Sequence, residues 1–552
     1  MPTGCCRPGV LTRPLLFLSL VLGLHVTGWA QTPPDAGALQ QQIERERQQQ
    51  LPRRIAPDKP ATPAVLPPLA GIVVTVKEFR FAGNTLLSAE QLAPAVAPFL
   101  DRPLDYNQLQ AAAAAVAETY RAAGWVVRAY LPQQDIKDGI VTLQIVEAVF
   151  GGVKLEGRAT RVAGEQLLRN VSARQAGGAP LNADALDRAL LLADDLPGVT
   201  VAGSLATGAA EGQTDLILKI ADEPLLTGEA GLDNTGSRST GSERFTASLN
   251  ANSPFGLGDL LSSNLIHTRG SDYLRLAYTL PIGGDGWRLG VNASGLRYRL
   301  IVAPYNPSTD KGTSSTLGLE ASYPLIRSRL ANLYLNLAYD HKAFDNQFGG
   351  ATTTRYTVDD SSVTLNGNLF DNLGGGGANS ASLGLITGRR SNDIGSSDQH
   401  FSKWRYSLSR QQVITDSLSL FALLSGQGAG KALDSSEKFY LGGSGGVRAY
   451  PSSEGGGAGG TLGNLELRWK LPAGFILTGF YDAGHIRNPD GSPSYGLTGA
   501  GAALAWQGDN GLNLKAVWAR RLGSNPNPTA SGNDQDGSLD KNRLWLSAVF
   551  NF

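Results

Sequence analysis

The sequence predicts an all-β transmembrane barrel of about 16 antiparallel strands, preceded by two small α+β units. Residues 226–552 alternate apolar and polar side chains in short segments, and residues 72–148 and 149–223 repeat one order of elements. The 68 glycines fit a chain with many turns. At roughly 20 residues for each strand with its turn, the alternating region holds about 16 strands, and bacterial barrels have even numbers.

Residues 1–30 have the features of a secretory signal peptide. Arg7 and Arg13 precede an apolar run at 15–24, and small residues place the cleavage after Ala30. The run is too short to span a membrane, which argues against an anchor. Both cysteines, Cys5 and Cys6, precede the run. We therefore expect neither disulfides nor thiol chemistry in the exported chain.

Residues 31–71 combine a polar helix with a stiff linker. Residues 37–51 are good helix formers with almost no apolar stripe, so we expect this helix to lie in a polar setting. A helix of this length is marginal alone in water and needs a surface to bind. Six prolines between positions 52 and 68 predict an extended linker after it.

The two units at 72–148 and 149–223 each read as β-α-α-β-β. In the first unit, Ser88 and Gln91 have capping-box spacing and Gly124 ends the second helix. In the second unit, Asn182 is a good N-cap. The equal order and similar length predict an internal duplication.

The alternation in residues 226–552 does not say which face is wet. Leu317, Leu319 and Tyr323 share one face opposite Glu320 and Ser322. A soluble β-sandwich or β-helix would show the same pattern with its apolar face buried inside. The length of the region, its aromatic last strand and the preceding duplication favour the membrane barrel.

Composition and motifs argue against enzymes and nucleic-acid binders. The net charge is zero, so no basic stripe for nucleic acid is expected. The histidines after residue 30 are scattered without metal-ligand spacing, and no Gly-x-Ser-x-Gly motif occurs. The segment 425–432 lacks the first Gly and the Ser/Thr of a phosphate loop. We expect no catalytic site, metal or cofactor.

Two short motifs suggest a pair of charges inside the barrel. One is Gly446-Val447-Arg448-Ala449-Tyr450-Pro451, in a long loop at 434–460, and the other is Phe480-Tyr481-Asp482-Ala483-Gly484. Asp482 should face the lumen, because an Asp facing lipid costs free energy. The planar fork of Arg448 matches a carboxylate. Two unrelated solvated charges are the alternative. We expect both charges of the pair to be solvated in the lumen, so the pair should add only about 0–1 kcal/mol to stability.

With these motifs, the chain resembles the two-partner secretion transporters of the outer-membrane assembly-factor superfamily, which export large haemolysins and filamentous adhesins. The resemblance covers nearly the whole exported chain, including two units like polypeptide-transport-associated (POTRA) domains. Segments 231–237 and 254–259 look like the first two barrel strands of the family. The family's loop pattern is Val-Arg-Gly-Tyr/Phe. Ala449 replaces its Gly, which would matter if that position had a positive φ.

The resemblance implies an outer-membrane protein with periplasmic POTRA domains that threads an unfolded exoprotein client through its barrel. The polar helix and the long loop would be its plugs. The implied partners are the client, outer-membrane lipid and the barrel-assembly machinery. The implied functional residues are Arg448 and Asp482 with their neighbours Gly446, Val447, Tyr450, Phe480 and Gly484, and the C-terminal residues Phe550 and Phe552.

Two other functions stay open at this point. An insertase of the same superfamily folds other barrels into the membrane, but such proteins usually carry more POTRA domains and lack the helix-plus-proline start. A passive porin is the second alternative, and it needs no duplicated periplasmic module.

Overall fold

The computed structural model of this chain describes residues 35–49, 73–210, 212–394, 397–452 and 454–552. The predicted signal peptide and the proline-rich linker lie outside these residues. None of the helices in the described part has the length and hydropathy to cross a bilayer. These helices are α1 Ala36–Gln49, α2 Ala89–Val96, α3 Tyr106–Ala122, α4 Gly164–Ser172 and α5 Ala183–Asp194.

The first α+β unit contains a three-stranded sheet that packs against α2 and α3, and a separate pair of short strands. The strands of the unit are β1 Val74–Thr75, β2 Glu78–Ala82, β3 Pro103–Leu104, β4 Val127–Tyr130 and β5 Ile140–Glu147. β5 lies in the middle of the sheet, parallel to β2 and antiparallel to β4, while β1 pairs with β3. Capping boxes that begin at Ser88 and Asp105 start the two helices, because each cap satisfies free backbone N–H groups.

The second unit repeats this arrangement. Its strands are β6 Val149–Arg158, β7 Val199–Thr207 and β8 Gln213–Asp222, in the sheet order β6-β8-β7. β8 is parallel to β6 and antiparallel to β7, as in the first unit. Asn182 caps α5 by accepting a hydrogen bond from Ala185 N.

The duplication extends to single hydrogen bonds. At the end of β5, the Glu147 carboxylate accepts hydrogen bonds from the Thr85 N–H, the Thr85 hydroxyl and the Leu86 N–H. At the end of β8, Asp222 accepts the equivalent three bonds from Thr160 and Arg161. Each carboxylate lies 62 residues after the threonine that it binds. One carboxylate per unit therefore fastens the loop before the first helix.

These carboxylates should make the stability of the units depend on pH. Burial would raise the pKa of Glu147, but the hydrogen bonds from Thr85, Leu86 and Tyr120 outweigh burial and lower it. The hydrogen bonds from Thr160 and Arg161 lower the pKa of Asp222. A group whose folded pKa is lowered stabilises the fold above its unfolded pKa, and this stability is lost as the pH falls through the folded pKa.

We therefore expect a fragment of residues 73–223 to melt at a lower temperature at about pH 3 than at neutral pH. Glu147→Gln should lower the neutral-pH melting temperature and weaken the pH dependence, as measured by circular dichroism. Glu118→Gln is the matched control, because Glu118 pairs with Arg121 on the surface. Identical pH profiles for Glu147→Gln and the unchanged fragment would contradict this assignment.

The C-terminal region is a closed barrel of 16 antiparallel strands, as predicted. The first eleven strands are β9 Leu226–Asp233, β10 Arg244–Asn252, β11 Leu260–His267, β12 Ser271–Ile282, β13 Trp287–Arg299, β14 Lys311–Arg327, β15 Ala331–Phe348, β16 Ala351–Asp371, β17 Gly377–Ile394, β18 Gln399–Val413 and β19 Leu418–Ala429. A long loop, residues 430–458, contains the short strands β20 Phe439–Tyr440 and β21 Gly456–Gly457. The last five barrel strands are β22 Gly459–Lys470, β23 Phe475–Arg487, β24 Tyr495–Gln507, β25 Leu512–Arg521 and β26 Asn542–Asn551.

The outside of the barrel is apolar. On β14, Leu317 and Leu319 are 62% and 57% exposed, whereas Ser314 and Thr316 face inward and are buried. The same holds for Leu465, Leu467 and Trp469 on β22 and for Leu544, Leu546 and Phe550 on β26. A soluble sandwich or β-helix would bury these side chains. The exposed band therefore identifies a membrane barrel.

The barrel closes between β26 and β9. These strands pair over five residues, from Ser547–Asp233 to Asn551–Glu229. The Asn234 side chain extends the pairing, because its Nδ2 donates to Leu544 O at 2.9 Å and its Oδ1 accepts from Leu546 N at 2.8 Å. Phe550 and Phe552 are exposed beside this closure, with their ring centroids 6.4 Å apart.

One predicted strand is wrong. Residues 254–259 form the turn between β10 and β11, and 234–237 lie in the loop after β9. Pro254 has no backbone N–H to donate, and Gly256 and Gly258 have φ values of +79° and +71°. Both features favour a tight turn over a strand.

The second α+β unit contacts one end of the barrel. Arg327, at the end of β14, binds the Asp195 carboxylate through two nitrogens, at 2.7 and 2.9 Å. Arg174 donates to Asp285 at 2.6 Å, and the Ser253 hydroxyl donates to Arg161 O at 2.7 Å. These contacts involve the turns that join β10 to β11, β12 to β13 and β14 to β15. The long loop at 430–458 begins at the opposite end.

Candidate functional site in the barrel lumen

The structure brings Arg448 and Asp482 together inside the barrel. Asp482 faces inward from β23, and the long loop folds back into the lumen and carries Arg448 to it. Arg448 Nε donates to Asp482 Oδ2 at 2.9 Å and Nη2 donates to Oδ1 at 2.6 Å. The Arg448 backbone N–H also donates to Oδ2, at 3.0 Å. The pair thus has the bidentate geometry of a strong charge-assisted contact.

Four further wall residues complete the site. Arg448 Nη1 donates to Glu466 at 2.7 Å, and Asn464 Nδ2 donates to Asp482 Oδ1 at 2.8 Å. The Phe480 ring lies under the guanidinium, with its centroid 3.5 Å from Arg448 Cζ. The indole N–H of Trp545 donates to Arg448 O at 2.8 Å.

Sequence reasoning missed Asn464, Glu466 and Trp545 as members of the site. A signal was present for the first two, because they occupy the polar face of β22, opposite Leu465 and Leu467. The polar face of a membrane barrel strand points into the lumen. Nothing in the local sequence indicated that the loop would reach them.

The prediction that this pair is solvated is wrong. Arg448 is 6% exposed and Asp482 is 0% exposed. The loop's Leu441, Val447 and Tyr450 pack with Phe480 and other apolar wall side chains, and this cluster excludes water from the pair. The contribution of about 0–1 kcal/mol to stability that was expected for a solvated pair therefore does not apply. Removing one partner of a buried pair costs about 3–5 kcal/mol, because the other charge stays buried without its partner.

The motif neighbours shape the loop so that it fits the wall. A side-chain carbon at Gly446 would lie 1.9 Å from Leu441 O, so the two backbone segments can approach only with glycine there. A side-chain carbon at Gly484 would lie 2.5 Å from Leu441 Cδ2. Val447 and Tyr450 are buried, and Arg521 Cζ lies 4.3 Å from the Tyr450 ring centroid.

Ala449 fits where the family pattern has glycine. It is not among the non-glycine residues with positive φ, so its side chain causes no backbone strain. Its side chain faces Gly499, where an added carbon would lie 2.7 Å from Ala449 Cβ. The extra methyl group is accommodated because the facing position on β24 has no side chain.

Helix α1 lies inside the lumen against the other side of the wall. Ala36 N donates to Asn346 Oδ1 at 3.0 Å, and Gln40 Nε2 donates to Thr316 Oγ1 at 2.6 Å. Near the end of the helix, Glu46 accepts from Arg244 Nη1 at 2.7 Å. These bonds join the helix to β10, β14 and β15, so they extend over five strand spacings of the wall.

The prediction that this helix has almost no apolar stripe needs correction. Ala36, Leu39 and Ile43 lie on one face of α1 and pack against a cluster that includes Tyr298 and Phe344. Their spacing is that of a narrow helical stripe. The helix is therefore docked on a matching apolar patch of the wall as well as by its polar bonds.

The helix and the long loop also contact each other. Arg45 donates to the carbonyl oxygens of Tyr440 and Gly445, and the Ser435 hydroxyl donates to Asp35 Oδ2 at 2.7 Å. The lumen thus contains two plugs, each bound to its own part of the wall and both bound to one another. In the described ranges, no group of three His, Cys, Asp or Glu side chains could hold a metal ion. The two segments together obstruct the lumen of the barrel.

Comparisons with known proteins agree with this architecture. The family model of the haemolysin secretion/activation proteins ShlB/FhaC/HecB matches residues 212–506, and the model of the ShlB-type POTRA domain matches residues 74–148. The heme/hemopexin transporter protein HuxB of Haemophilus influenzae is 25% identical, over 97% of both chains. The outer membrane transporter CdiB of Dickeya dadantii is 26% identical, over 82% of both chains.

A solved structure of CdiB from Escherichia coli has the same fold. Its TM-score is 0.73 at 21% identity, and the match covers 94% of this chain and 99% of that chain. The family match selects a secretion transporter over the insertase and the porin, and it places the barrel in the outer membrane with the POTRA units in the periplasm. Because the family model matches more than half of its length, the chain belongs to the haemolysin secretion/activation protein family ShlB/FhaC/HecB.

Proposed function

We propose that this transporter captures one large, unfolded exoprotein at its POTRA units and threads it through the barrel once the two plugs have moved. The observation that carries this proposal is the doubly plugged lumen. Neither plug is part of the barrel's strand ladder. Ion pairs, hydrogen bonds and apolar packing hold both plugs to the wall, so both can leave without breaking the ladder. No nucleotide is available in the periplasm, so folding of the client outside the cell would drive its passage.

The partners follow from this proposal. The client is of the haemolysin or adhesin type, and outer-membrane lipid contacts the exposed apolar band. The barrel-assembly machinery would recognise the end of β26, where Phe550 and Phe552 are exposed.

The second POTRA unit offers an edge for client capture. β7 pairs only with β8 in its sheet. The Gly208 N–H donates to Gln213 O, whereas the Val201 N–H donates to Asp194 on α5. Even-numbered residues of β7 therefore point their backbone groups at β8, and odd-numbered residues point theirs at the free edge. Leu205, at this edge, is 47% exposed. An extended client segment would bind here by adding a strand.

We expect a fragment of residues 73–223 to bind the unfolded N-terminal region of the client, measured by fluorescence anisotropy. Leu205→Pro should weaken binding at least about tenfold, because proline removes an edge N–H and keeps the bonds to β8. Leu205→Val is the matched control and should bind normally. If the fragment fails to bind at any useful concentration, recognition lies in the barrel; normal binding by the proline variant would exclude this edge.

A further inference from the structure

The long loop has a second ionic anchor, eleven residues before Arg448. Residues 435–437 form a 3-10 turn at the start of the loop, which we call the seat turn. Its last residue, Glu437, is 3% exposed. The Glu437 carboxylate binds two lysines of the wall, Lys342 on β15 at 3.0 Å and Lys403 on β18 at a shorter distance.

The backbone of Glu437 is held at the same place. Its carbonyl oxygen accepts from Lys403 Nζ and from Gln427 Nε2, both at 2.9 Å. Lys342 is also bound by Asp360 at 2.6 Å, so it would keep a counter-ion without Glu437. Lys403, whose side chain is 1% exposed, would keep the carbonyl oxygen of Glu437 and the Phe401 ring, whose centroid lies 5.9 Å from Nζ, but among the described residues no other carboxylate forms an ion pair with it. The seat turn has a further hold on the wall, because Asp434, which caps the turn, binds Arg390 at 3.0 Å and accepts a hydrogen bond from the Tyr356 hydroxyl at 2.7 Å. Glu437 supplies the carboxylate that binds Lys403.

The other side of the seat turn carries the start of helix α1. The Ser435 hydroxyl donates to Asp35 Oδ2 at 2.7 Å. Gly37 lies so close that a side-chain carbon there would be 2.8 Å from both Ser435 Oγ and Ser436 N. The helix can rest on the turn at this distance only because residue 37 is glycine. The seat turn is thus clamped between the lysines of the wall and the first turn of the plug.

We infer that Glu437 is a positioning residue for the plug: it holds the seat turn against the wall, and the seat turn keeps helix α1 in the pore. This inference rests on the proposal that α1 closes the passage. Without the carboxylate, the buried Lys403 ammonium loses its counter-ion, and the hold of the seat turn on the wall weakens, with Asp434 and the Glu437 carbonyl oxygen still bound. Helix α1 then loses the part of its support that the seat turn gives, while the Arg448–Asp482 pair, later in the loop, keeps its contacts.

The test is single-channel recording of the full-length protein in planar bilayers. Glu437→Gln should raise the frequency of openings at least about tenfold. Gly37→Val should do the same from the helix side, without changing any barrel residue. In a protein that lacks residues 35–49, neither substitution should raise the frequency of openings further. Asp371→Asn is the matched control, since it removes an ion pair with Arg410 that contacts neither plug, and it should leave the openings unchanged.

A second readout separates positioning of the helix from general damage. A single cysteine at Ala36, which is 0% exposed, should react with a maleimide much faster in the Glu437→Gln background. A single cysteine at Val447, also 0% exposed, should stay protected, because the second anchor is intact. In detergent gels, every variant should migrate faster unheated than boiled, and this heat-modifiable mobility shows that the barrel is folded.

The outcomes distinguish the positioning role of Glu437 from the proposal that helix α1 plugs the pore. If the helix deletion opens the pore but Glu437→Gln and Gly37→Val change neither the openings nor the labelling of Ala36→Cys, the proposed role of Glu437 is wrong and the plug proposal stands. If the helix deletion itself leaves the openings unchanged, both are wrong. If the cysteine of Val447→Cys reacts with the maleimide as fast as that of Ala36→Cys, Glu437 holds the whole loop in place and not the seat turn alone.

Discussion

Replacing Arg448 or Asp482 with alanine should nearly abolish secretion of the client while the barrel still assembles. The pair fixes one loop conformation, and removing either member leaves the other buried without its partner, at a cost of about 3–5 kcal/mol. A change of 3 kcal/mol already shifts a two-state equilibrium by more than about a hundredfold. The loop would then leave the position in which Val447 and Tyr450 pack on the wall. Secretion is measured as client in the culture medium, and assembly as heat-modifiable mobility in gels.

The double variant and a conservative variant sharpen this test. Arg448→Ala with Asp482→Ala should secrete no worse than either single variant, because the two residues act as a unit. Arg448→Lys should rescue only partly, since an ammonium cannot bind Asp482 and Glu466 with one planar fork. Arg389→Gln is the matched control, because Arg389 and Asp398 form an exposed pair that should contribute little. Additive losses in the double variant, or normal secretion by either single variant, would show that the residues do not work as a pair.

Deleting helix α1 should enlarge the conductance of the purified protein in planar bilayers. A helix with its side chains is about 10–12 Å across, and its removal leaves a passage of that order through the lumen. Secretion should stay largely intact, because the helix must leave the passage before the client can enter. The variant lacks residues 31–51, and Gln42→Ala is its control, since within the described ranges that side chain donates to Glu46 of the same helix and to no wall residue. Unchanged conductance in the deletion variant would mean that the helix does not occupy the pore.

The sequence predicted those features that follow from local periodicity. The 16 strands, the outward Leu317 and Leu319 and the inward Asp482 all follow from a period of two and from the cost of a charge in lipid. The first strand of the barrel begins at Leu226, as the change of pattern indicated.

The features that sequence reasoning missed depend on where distant segments meet. The burial of Arg448 comes from the packing of loop residues on Phe480 and its neighbours, which no local pattern encodes. The short stripe of Ala36, Leu39 and Ile43 is too small to stand out from a polar helix, yet it fits an aromatic patch of the wall. Glu437 lies in an irregular turn without a motif, so its two lysine partners appear only in three dimensions.

Cross-linking of a stalled client to the lumen tests the central claim most directly. The only two cysteines of the chain, Cys5 and Cys6, precede the expected cleavage site, so a single introduced cysteine is the sole thiol of the exported protein. Thr316 faces the lumen and holds Gln40 of the plug, while the adjacent Leu317 faces outward. A client stalled by a folded domain at its end should cross-link to Thr316→Cys and not to Leu317→Cys. Equal cross-linking at both positions, or none at Thr316→Cys while the client is still secreted, would contradict passage through this barrel.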